Sequence, residues 1–514
     1  MSASAPSVKM KDSVSREFLP PEVLEFLSVT TPQTLTVRGP PGVGKTTFAL
    51  TLLEQFDGYR AYVSARVPKP SVLRDHPWVN SPDSNSIDLV EMLRFRGGAE
   101  SSSLRMDSLR DALQARANDL VELSSVLSLP DQLEKGFVEH AGKPMLVVID
   151  SWEAWVENTL GPMALSLNVP TTRWELERSM LDRVRQAGAH VLLVVEREDR
   201  ERLDYIADGA LSLTVAETDG RAERWLTFQK LRGIKLGCLT YPFTLEAGRF
   251  RCIQPGRFHA PVLSVPDEPD PEPAKPDIWP GSTAFATRLG RLPIPGATLL
   301  EADGETPVRL LLRLVVPMIS SALRSGGHVV FRPPSHFSSR EIWTTLGHVQ
   351  WLPNLAKSLR ILSWDADSVL TGIPESTILK VTGQGPNESH RIVGLLDSTG
   401  FFRGSLPQKA RSLVVLFMDS SIDSTGAMGD PDSFLALLGL ARQSGNRVGI
   451  VLVARSTETF IESLRSRSLL HLLIHSSRGQ FFMSGTRPWT PNFVFSRPLS
   501  GEEETIPYGL IPIV

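Results

Sequence analysis

A glycine-rich stretch near the start of the chain constrains its fold more than any other feature. Residues 34–38 read TLTVR, and the sequence continues as GPPGVGKTTFAL. Gly39, Gly44, Lys45 and Thr46 satisfy the spacing G-x-x-x-x-G-K-[ST], between a predicted strand and a predicted helix. In this context consecutive backbone N–H groups curl around phosphate oxygens at the start of a helix. The pattern therefore predicts an α/β domain that binds a nucleotide, whereas a chance glycine-rich turn would not need the flanking strand and helix.

We predict that the whole loop contacts ATP. Lys45 is expected to reach the β- and γ-phosphates, and the hydroxyl of Thr46 is expected to ligate Mg²⁺. Asp150 ends the apolar run PMLVVID and is the predicted carboxylate that holds this Mg²⁺ through Thr46 and water. The predicted cofactor-binding residues are Gly39, Pro40, Pro41, Gly42, Val43, Gly44, Lys45, Thr46, Thr47 and Asp150, and the predicted metal residues are Thr46 and Asp150.

Strand-like and helix-like segments alternate after this loop. In the helix that begins at Lys45, apolar residues recur at Phe48, Leu52 and Phe56. The runs YRAYVSARV, PMLVVID and AHVLLVVERE are predicted strands, and the last two are apolar enough for burial on both faces. This alternation predicts a mainly parallel sheet. The later runs GALSLTV, RWLTFQKLRG and GRFRCIQ are interpreted as short antiparallel additions at one sheet edge.

Two further segments of the first half have a local interpretation. Residues 70–130 are polar, with a helical stretch around SLRDALQARANDLVELSSVL. Thr172 and Glu175 have capping-box spacing and predict a helix that runs to about Gln186.

The second half repeats the order of signals of the first. The stretch VPDEPDPEPAKPDIWPG is rich in proline and acidic residues and predicts a linker. Beyond it, GATLLEAD, SLVVLFMDSS and NRVGIVLVARS follow one another as the strands of the first half do, which indicates an internal duplication.

The phosphate chemistry is not repeated in the second half. In EADGETPVRL, Gly304 and Thr306 are present without a Gly-Lys-Thr sequence, and the acidic Glu301, Asp303 and Glu305 would repel phosphate. Asp419 in FMDSS matches Asp150 in appearance but has no partner lysine or threonine. We interpret this half as a structural remnant that can supply a partner surface.

Four ordered motifs carry a family resemblance over roughly residues 30–255. IDSW, LDYIADGALSL, the KLRG strand and YPFTLEAG resemble the KaiC-like branch of the RecA superfamily. A two-lobed chain with YVSARVPKP after the P-loop helix most resembles the archaeal gas-vesicle regulators called GvpD. The resemblance implies an α/β chain of tandem RecA/KaiC-like P-loop domains with mainly parallel central sheets, the second domain degenerate. It also implies a nucleotide-binding repressor that contacts a protein partner, a transcriptional activator.

The resemblance suggests domain bounds and one further pair of site residues. The predicted parts are an N-terminal extension (1–30), a KaiC/RecA-like ATP-binding domain (31–256), a linker (257–281) and a degenerate RecA-like domain without a P-loop (282–514). In KaiC-like rings the residues that match Lys230 and Arg232 reach the γ-phosphate of a neighbouring subunit, so these two are expected to act in trans or toward the matching half of the same chain. Two surface charges on an edge strand are the alternative, and a homo-oligomer is left open.

The expected proton acceptor for hydrolysis is missing. KaiC-like ATPases carry acidic residues where this chain has Ala65 and Arg66. Neither alanine nor a guanidinium accepts a proton from water. Arg66 is instead expected to neutralise the γ-phosphate, while Glu153 and Glu196 are candidate substitutes interpreted as solvated or capping carboxylates. We therefore expect slow hydrolysis or none, although an active RecA/KaiC-type ATPase that forms rings and acts on DNA is the alternative.

Composition limits the remaining function classes. The net charge of −3 gives no global attraction to nucleic acid or to an anionic membrane. RFRGG, LRMDSLRDALQAR and ESLRSRSLLH are interpreted as solvated helix faces, with an acidic partner or DNA backbone as the alternative. No helix-turn-helix or zinc-finger spacing is found, so sequence-specific DNA recognition is not expected. Cys238 and Cys252 are interpreted as reduced thiols, and with no apolar run long enough for a membrane span the chain is predicted to be cytoplasmic.

Overall fold

Two sheets with packed helices organise the chain in the computed structural model. One unit comprises Met1–Gln254 with Ile513–Val514, and the other comprises Pro255–Pro512. The structure describes residues 18–80, 87–91, 129–160, 178–179, 181–196, 201–254, 269–334, 343, 355–363, 375–380, 394, 410–418, 437–439, 447–456, 461–496 and 509–514.

The strands and helices have the following bounds. The strands are β1 (Thr34–Arg38), β2 (Tyr59–Ser64), β3 (Asp88–Glu91), β4 (Met145–Asp150), β5 (Ala189–Val195), β6 (Gly209–Thr218), β7 (Arg221–Leu231), β8 (Thr240–Thr244), β9 (Arg251–Cys252), β10 (Gly296–Ala302), β11 (Val329–Arg332), β12 (Leu359–Ser363), β13 (Ile378–Lys380), β14 (Ser412–Met418), β15 (Val448–Arg455), β16 (Leu470–Ser477), β17 (Gln480–Arg487), β18 (Phe493–Ser496) and β19 (Gly509–Pro512). The helices are α1 (Pro21–Phe26), α2 (Lys45–Gln55), α3 (Lys69–Asp75), α4 (Asp131–Glu139), α5 (Trp152–Leu160), α6 (Glu201–Ile206), α7 (Thr283–Leu289), α8 (Val308–Arg324), α9 (Leu355–Ser358) and α10 (Ile461–Arg467).

The first sheet places the strand before the glycine-rich loop near its centre. Its strand order is β3-β2-β4-β5-β1-β6-β7-β8-β9. Strands β3 to β6 in this order are parallel, and β7, β8 and β9 continue the sheet in antiparallel fashion. Because parallel strands end at the same sheet edge, the residues after β1, β2, β4 and β5 come together there.

Burial on both faces explains why the apolar runs are continuous. In β4, Leu146 and Val148 enter one core cluster, whereas Met145, Val147 and Ile149 enter another on the opposite face. Successive side chains of a strand point to opposite faces, so both faces of β4 must be apolar. The predicted apolar positions of α2, namely Phe48, Leu52 and Phe56, are fully buried, which confirms its inward face.

The second sheet repeats the connectivity of the first. Its order is β13-β12-β11-β14-β15-β10-β16-β17-β18-β19, with parallel pairing from β13 to β16 and antiparallel pairing from β16 onward. Strand β10 lies between β15 and β16 just as β1 lies between β5 and β6. Both sheets are therefore mainly parallel, and the predicted tandem α/β fold class is confirmed.

Three sequence-based assignments differ from the structure. Strand β6 pairs in parallel with β1, so the prediction that GALSLTV is an antiparallel addition is wrong; helix α6 makes the connection from β5 that a parallel pair requires. Strand β3 was not predicted, because its short run DLVE lies in a polar segment. Strand β2 ends at Ser64, so Ala65 and Arg66 follow the strand.

Part of the predicted linker packs as structure of the second unit. Ile278 and Trp279 are buried, and the N–H of Ile278 donates to the carbonyl of Leu292 over 3.0 Å. Thr172, Glu175, Asp419 and the first two arginine-rich segments lie outside the described residues. Among the helices that the structure describes, none is both long enough and apolar enough to cross a membrane.

A buried ion pair holds the end of β10 in the second unit. Glu301 is 1 % exposed, and its carboxylate accepts hydrogen bonds from Arg465 Nε over 2.8 Å and from a second nitrogen of the same guanidinium. His471 Nε2 lies 2.8 Å from the same carboxylate. Burial alone would raise the pKa of Glu301, but the hydrogen bonds from Arg465 and His471 lower it to about 2. The arginine also contacts Glu462, which is 77 % exposed.

We predict that Glu301→Gln destabilises the second unit by about 2 kcal/mol at pH 7, because Arg465 loses a buried charged partner but stays partly hydrated. The lowered pKa of Glu301 means that its contribution is complete above its ordinary pKa of 4.5 and is lost as the pH falls toward about 2. Urea denaturation of the full chain, read by hydrogen exchange in β10 and β16, measures both effects. Glu462→Gln is the matched control and should change stability by less than about 0.5 kcal/mol; equal effects of the two substitutions would contradict the assignment.

Candidate nucleotide-binding site

The loop between β1 and α2 requires glycine at its first and last positions. Gly39 has φ of 151°, and a Cβ atom there would lie 2.3 Å from the carbonyl oxygen of Leu213. Gly44 has φ of 111°, and a Cβ atom there would lie 2.9 Å from the side chain of Leu245. Both values of φ are unfavourable for other residues, so the conformation and the tight space each select glycine.

Lys45 begins α2 and turns back over the loop. Its Nζ donates to the carbonyl oxygens of Gly39 over 2.5 Å and Pro40 over 3.0 Å, and the residue is buried. Burial lowers the pKa of Lys45, while the charges of Glu196, Asp150 and Glu153 oppose this shift. A buried ammonium bonded to two neutral carbonyls is well placed to exchange them for anionic phosphate oxygens.

Asp150 joins the loop to the sheet. Its Oδ2 accepts hydrogen bonds from the Thr46 hydroxyl over 2.6 Å and from the Tyr62 hydroxyl over 2.8 Å. Burial raises the pKa of Asp150, although the bonds from Thr46 and Tyr62 oppose this shift. Burial and the charge of Asp150 also raise the pKa of Tyr62, which keeps its hydroxyl protonated as a donor.

The donor set fits a magnesium–nucleotide site. One hydroxyl and one carboxylate stand side by side next to a loop whose N–H groups and lysine suit phosphate, and Mg²⁺ accepts such oxygen ligands together with water and phosphate oxygens. No group of three or more His, Cys, Asp or Glu side chains suited to a metal occurs in the described part of the chain. The site therefore suits a metal that arrives with a phosphate rather than one held by protein ligands alone.

The ends of β2 and β5 are linked beside this site. The N–H of Ala65 donates to the carbonyl of Asp150 over 2.8 Å, and its methyl group is buried. Arg66 Nη1 forms an ion pair with Glu196 Oε2 over 2.6 Å. Glu153 is buried, and its two carboxylate oxygens accept the N–H of Glu196 over 3.2 and 3.3 Å. Glu153 thus bonds to a backbone N–H, as expected for a capping carboxylate. Glu196 forms an ion pair with Arg66 and is not simply solvated.

Lys230 and Arg232 lie away from the loop of their own chain. Lys230 is paired with Ala210 at the start of β6, which runs beside the first residues of β1, whereas the loop follows the last residue of β1. Its Nζ donates to the carbonyls of Asp204 and Ala207 over 2.6 Å each, at the end of α6. Arg232 is exposed, and its Nη1 lies 3.5 Å from Asp208. Within one chain neither residue joins the predicted site.

The matching loop of the second unit is closed by its own carboxylate. Asp303 Oδ1 accepts the N–H of Thr306 over 2.7 Å, and Oδ2 accepts the N–H of Ser476 over 2.6 Å. Arg455 donates to the carbonyls of Asp303 and Thr306 over 2.5 and 2.7 Å. The N–H of Thr306 in this loop is thus already bonded to a carboxylate, and Glu301 is bonded to Arg465.

Two contacts were missed by reasoning from the sequence. Tyr62 bonds Asp150, and the alternation of β2 could have indicated it, because Tyr62 and Ser64 share a sheet face near the loop. Arg224 Nη1 donates to the carbonyl of Val43 over 3.3 Å, a contact from β7 that no local pattern indicates. Trp152 and Trp155 are both buried, as expected for packing residues.

Comparison with known proteins agrees with this geometry. Residues 23–229 match the family described as GvpD gas vesicle protein, P-loop domain. Residues 23–229 therefore form a GvpD-like P-loop domain. The chain is 28 % identical over 257 residues to Protein GvpD2 of Halobacterium salinarum, which is 49 % of this chain and 48 % of that protein. It is also 28 % identical over 239 residues to Protein GvpD1 of the same organism, which is 46 % of this chain and 41 % of the relative.

The match covers the candidate site but not the whole chain. The glycine-rich loop, Asp150, Arg66 and Glu196 all lie inside residues 23–229. The second sheet lies outside this range. The matched part spans less than half the length of each of the two relatives, 48 % and 41 %.

We predict that Asp150→Asn stabilises the nucleotide-free protein at pH 7 by roughly 0.5–2 kcal/mol. Functional sites often carry unfavourable interactions, and substitutions that remove them raise stability. Burial raises the pKa of Asp150 and so disfavours its charged form, whereas the asparagine carbonyl can still accept from Thr46 and Tyr62. Because the pKa is raised in the folded protein, wild-type stability should fall as the pH rises from 3.8 through that raised pKa, and the variant should lack this fall. Urea denaturation at several pH values measures the free energy of unfolding of the first unit in the wild type and the variant. Asp57→Asn, at an exposed aspartate, is the control. An Asp150→Asn variant that is less stable than the wild type at pH 7 would contradict the prediction.

Proposed function

We propose that this protein is an ATP-binding regulator of gas-vesicle formation that retains MgATP in its first unit and acts through a protein partner. One observation carries the proposal: an intact P-loop joined to Asp150 stands beside a β2 end, Ala65 and Arg66, that has no proton acceptor. The match to a gas vesicle protein family supports the process, and action in the cytoplasm is part of the proposal.

The nucleotide is held by the chain's own groups in distinct roles. The N–H groups of the loop's non-proline residues and of the start of α2 cradle the phosphates, and Lys45 exchanges its carbonyl partners for β- and γ-phosphate oxygens. Thr46 and Asp150 hold the Mg²⁺, and Thr47 lies next in line on α2 for the α-phosphate. The Mg²⁺ supplies charge neutralisation between the phosphates when it is bound.

Retention of ATP follows from the missing base. A water molecule must lose a proton as it attacks the γ-phosphorus, and a positioned base contributes about 10²–10⁴-fold to such a step. Ala65 cannot act, Glu153 is bound to backbone, and Glu196 is neutralised by Arg66. ATP therefore serves as a ligand that selects a conformation rather than as a consumed substrate.

Signalling through a partner is the part of the proposal that rests on the family resemblance. A regulator without hydrolysis must pass its nucleotide state to another molecule by contact. The resemblance identifies that partner as a transcriptional activator, and the second unit, with its phosphate loop closed by Asp303, is free to serve as a contact surface. A self-assembled ring in which exposed Arg232 reaches a neighbouring site belongs to the alternative, an active ATPase.

We predict that purified protein binds MgATP and releases it as ATP on denaturation, with little ADP. Lys45→Gln should weaken ATP binding by about 100-fold, because two charge-assisted hydrogen bonds to phosphate are lost. Calorimetric titration measures the affinity, and chromatography of the released nucleotide measures its state. Lys143→Gln removes an exposed lysine and serves as the matched control. Brisk phosphate release stimulated by single-stranded DNA would instead favour the ATPase alternative.

We predict that the intact protein lowers expression from a gas-vesicle promoter driven by its transcriptional activator, and that Lys45→Gln does not. A reporter strain lacking the chromosomal copy is complemented with the wild type, Lys45→Gln or Lys143→Gln, and protein levels are matched by immunoblot. Repression by wild type and Lys143→Gln alone supports nucleotide-dependent regulation. Full repression by Lys45→Gln would separate the regulatory role from ATP binding.

A further inference from the structure

Three carboxylates lie close enough to the Lys45 ammonium for their charges to act on it. They belong to Glu196, Asp150 and Glu153, and the charge of Glu196 acts most strongly. Since Lys45 is the residue that reaches the γ-phosphate, any carboxylate near it is also near the place where water would attack. These three are therefore the groups of this site to weigh as proton acceptors.

Two of the three are committed to other contacts. Asp150 Oδ2 accepts from both Thr46 and Tyr62 and is the metal-side carboxylate. Glu153 is 2 % exposed, and both of its oxygens accept the N–H of Glu196. Moving Glu153 to accept a proton would leave that partly buried backbone N–H without this carboxylate as its acceptor, which is unfavourable.

Glu196 differs because its partner is a side chain that can move. Arg66 extends from the end of β2 and Glu196 from the end of β5, so their ion pair passes over the end of β4 that lies between these strands. The side chains of Arg66 and Glu196 are 51 % and 33 % exposed. Exposed ion pairs are weak, so a partner or a neighbouring subunit can compete for the guanidinium.

We propose that Glu196 is the proton acceptor for ATP hydrolysis in this protein and that its ion pair with Arg66 withholds it. The inference rests on the proposed function, because it assumes that ATP occupies the P-loop. When the pair is broken, a water oxygen forms a bond to the γ-phosphorus while the bond to the β–γ bridging oxygen breaks. The electron pair of that bond leaves with ADP, and the proton of the water passes to the Glu196 carboxylate. Glu153 accepts the N–H of Glu196 and so fixes the backbone from which the acceptor extends.

The pairing explains two features together. The acidic residue is absent from the end of β2, where the family resemblance led us to expect it, and an arginine stands there instead. That arginine is bonded to a carboxylate two strands away in the sheet, at the same edge. Hydrolysis is thus suppressed by an interaction that a partner or a neighbouring subunit can remove, rather than by loss of every acceptor.

The test is a double-variant comparison on the full chain at saturating MgATP. Phosphate release is measured for the wild type and for the variants Arg66→Gln, Glu196→Gln and the combination of the two, and ATP affinity is measured for each by calorimetry. Arg66→Gln should raise kcat by about 5-fold or more, because a weak pair no longer holds the acceptor. The combined variant should lose the whole gain. Arg74→Gln, which removes an exposed arginine paired with Asp75, is the matched control.

Each outcome decides the matter. A gain that persists in the combined variant excludes Glu196 as the acceptor, and no gain in Arg66→Gln or in Arg66→Ala with ATP still bound excludes the withheld acceptor. Arg66→Ala is measured as well, because the amide that Arg66→Gln introduces could itself affect the site. If the wild type does not bind ATP, the proposed function is refuted and this inference falls with it. The calorimetric titration distinguishes that failure from a failure of this inference alone.

Discussion

A single carboxylate couples the phosphate loop to the sheet, and the rest of the site depends on it. Asp150 ends β4 and accepts two hydroxyl hydrogen bonds, one from the loop side at Thr46 and one from β2 at Tyr62. Its burial disfavours the charge that metal binding requires, so the nucleotide-free site is held in an unfavourable electrostatic state. A divalent ion bound with a triphosphate at the proposed site would relieve that state, and its binding would be felt at β2 and β4 through Tyr62 and Asp150.

The two units show how one fold keeps or loses a ligand through a few residues. In the first unit Gly39 and Gly44 permit the loop conformation that leads into Lys45 and Thr46, whose side chains suit a phosphate and its metal. In the second, Asp303 provides the anion from within the chain, and Arg455 fixes the loop carbonyls. An internal carboxylate needs no translational entropy to bind, so the closed loop is stable without nucleotide. The sheet order persists because it depends on apolar strands rather than on the loop.

The sequence was sufficient for the parts that depend on local pattern. The P-loop, the Walker-type aspartate and the buried strands β1, β4 and β5 follow from spacing and apolar runs. The parallel pairing of β6 with β1 was mistaken, because short alternating strands do not reveal their direction. The Arg66–Glu196 pair joins residues 130 positions apart, so no local sequence pattern indicates it. The hydrogen bonds of Lys230 to carbonyls at the end of α6 likewise have no local pattern.

A nucleotide can act as a signal only if its diphosphate and triphosphate forms bind the protein's conformations with different relative strength. The forms differ at the γ-phosphate, which the proposed site would place by the ends of β2, β4 and β5. Helix α5 contacts two of these ends: Asn158 donates to the carbonyl of Ala65 over 3.0 Å, and Glu153 accepts the N–H of Glu196. Breaking the Arg66–Glu196 pair would alter both ends at once, and α5 contacts both.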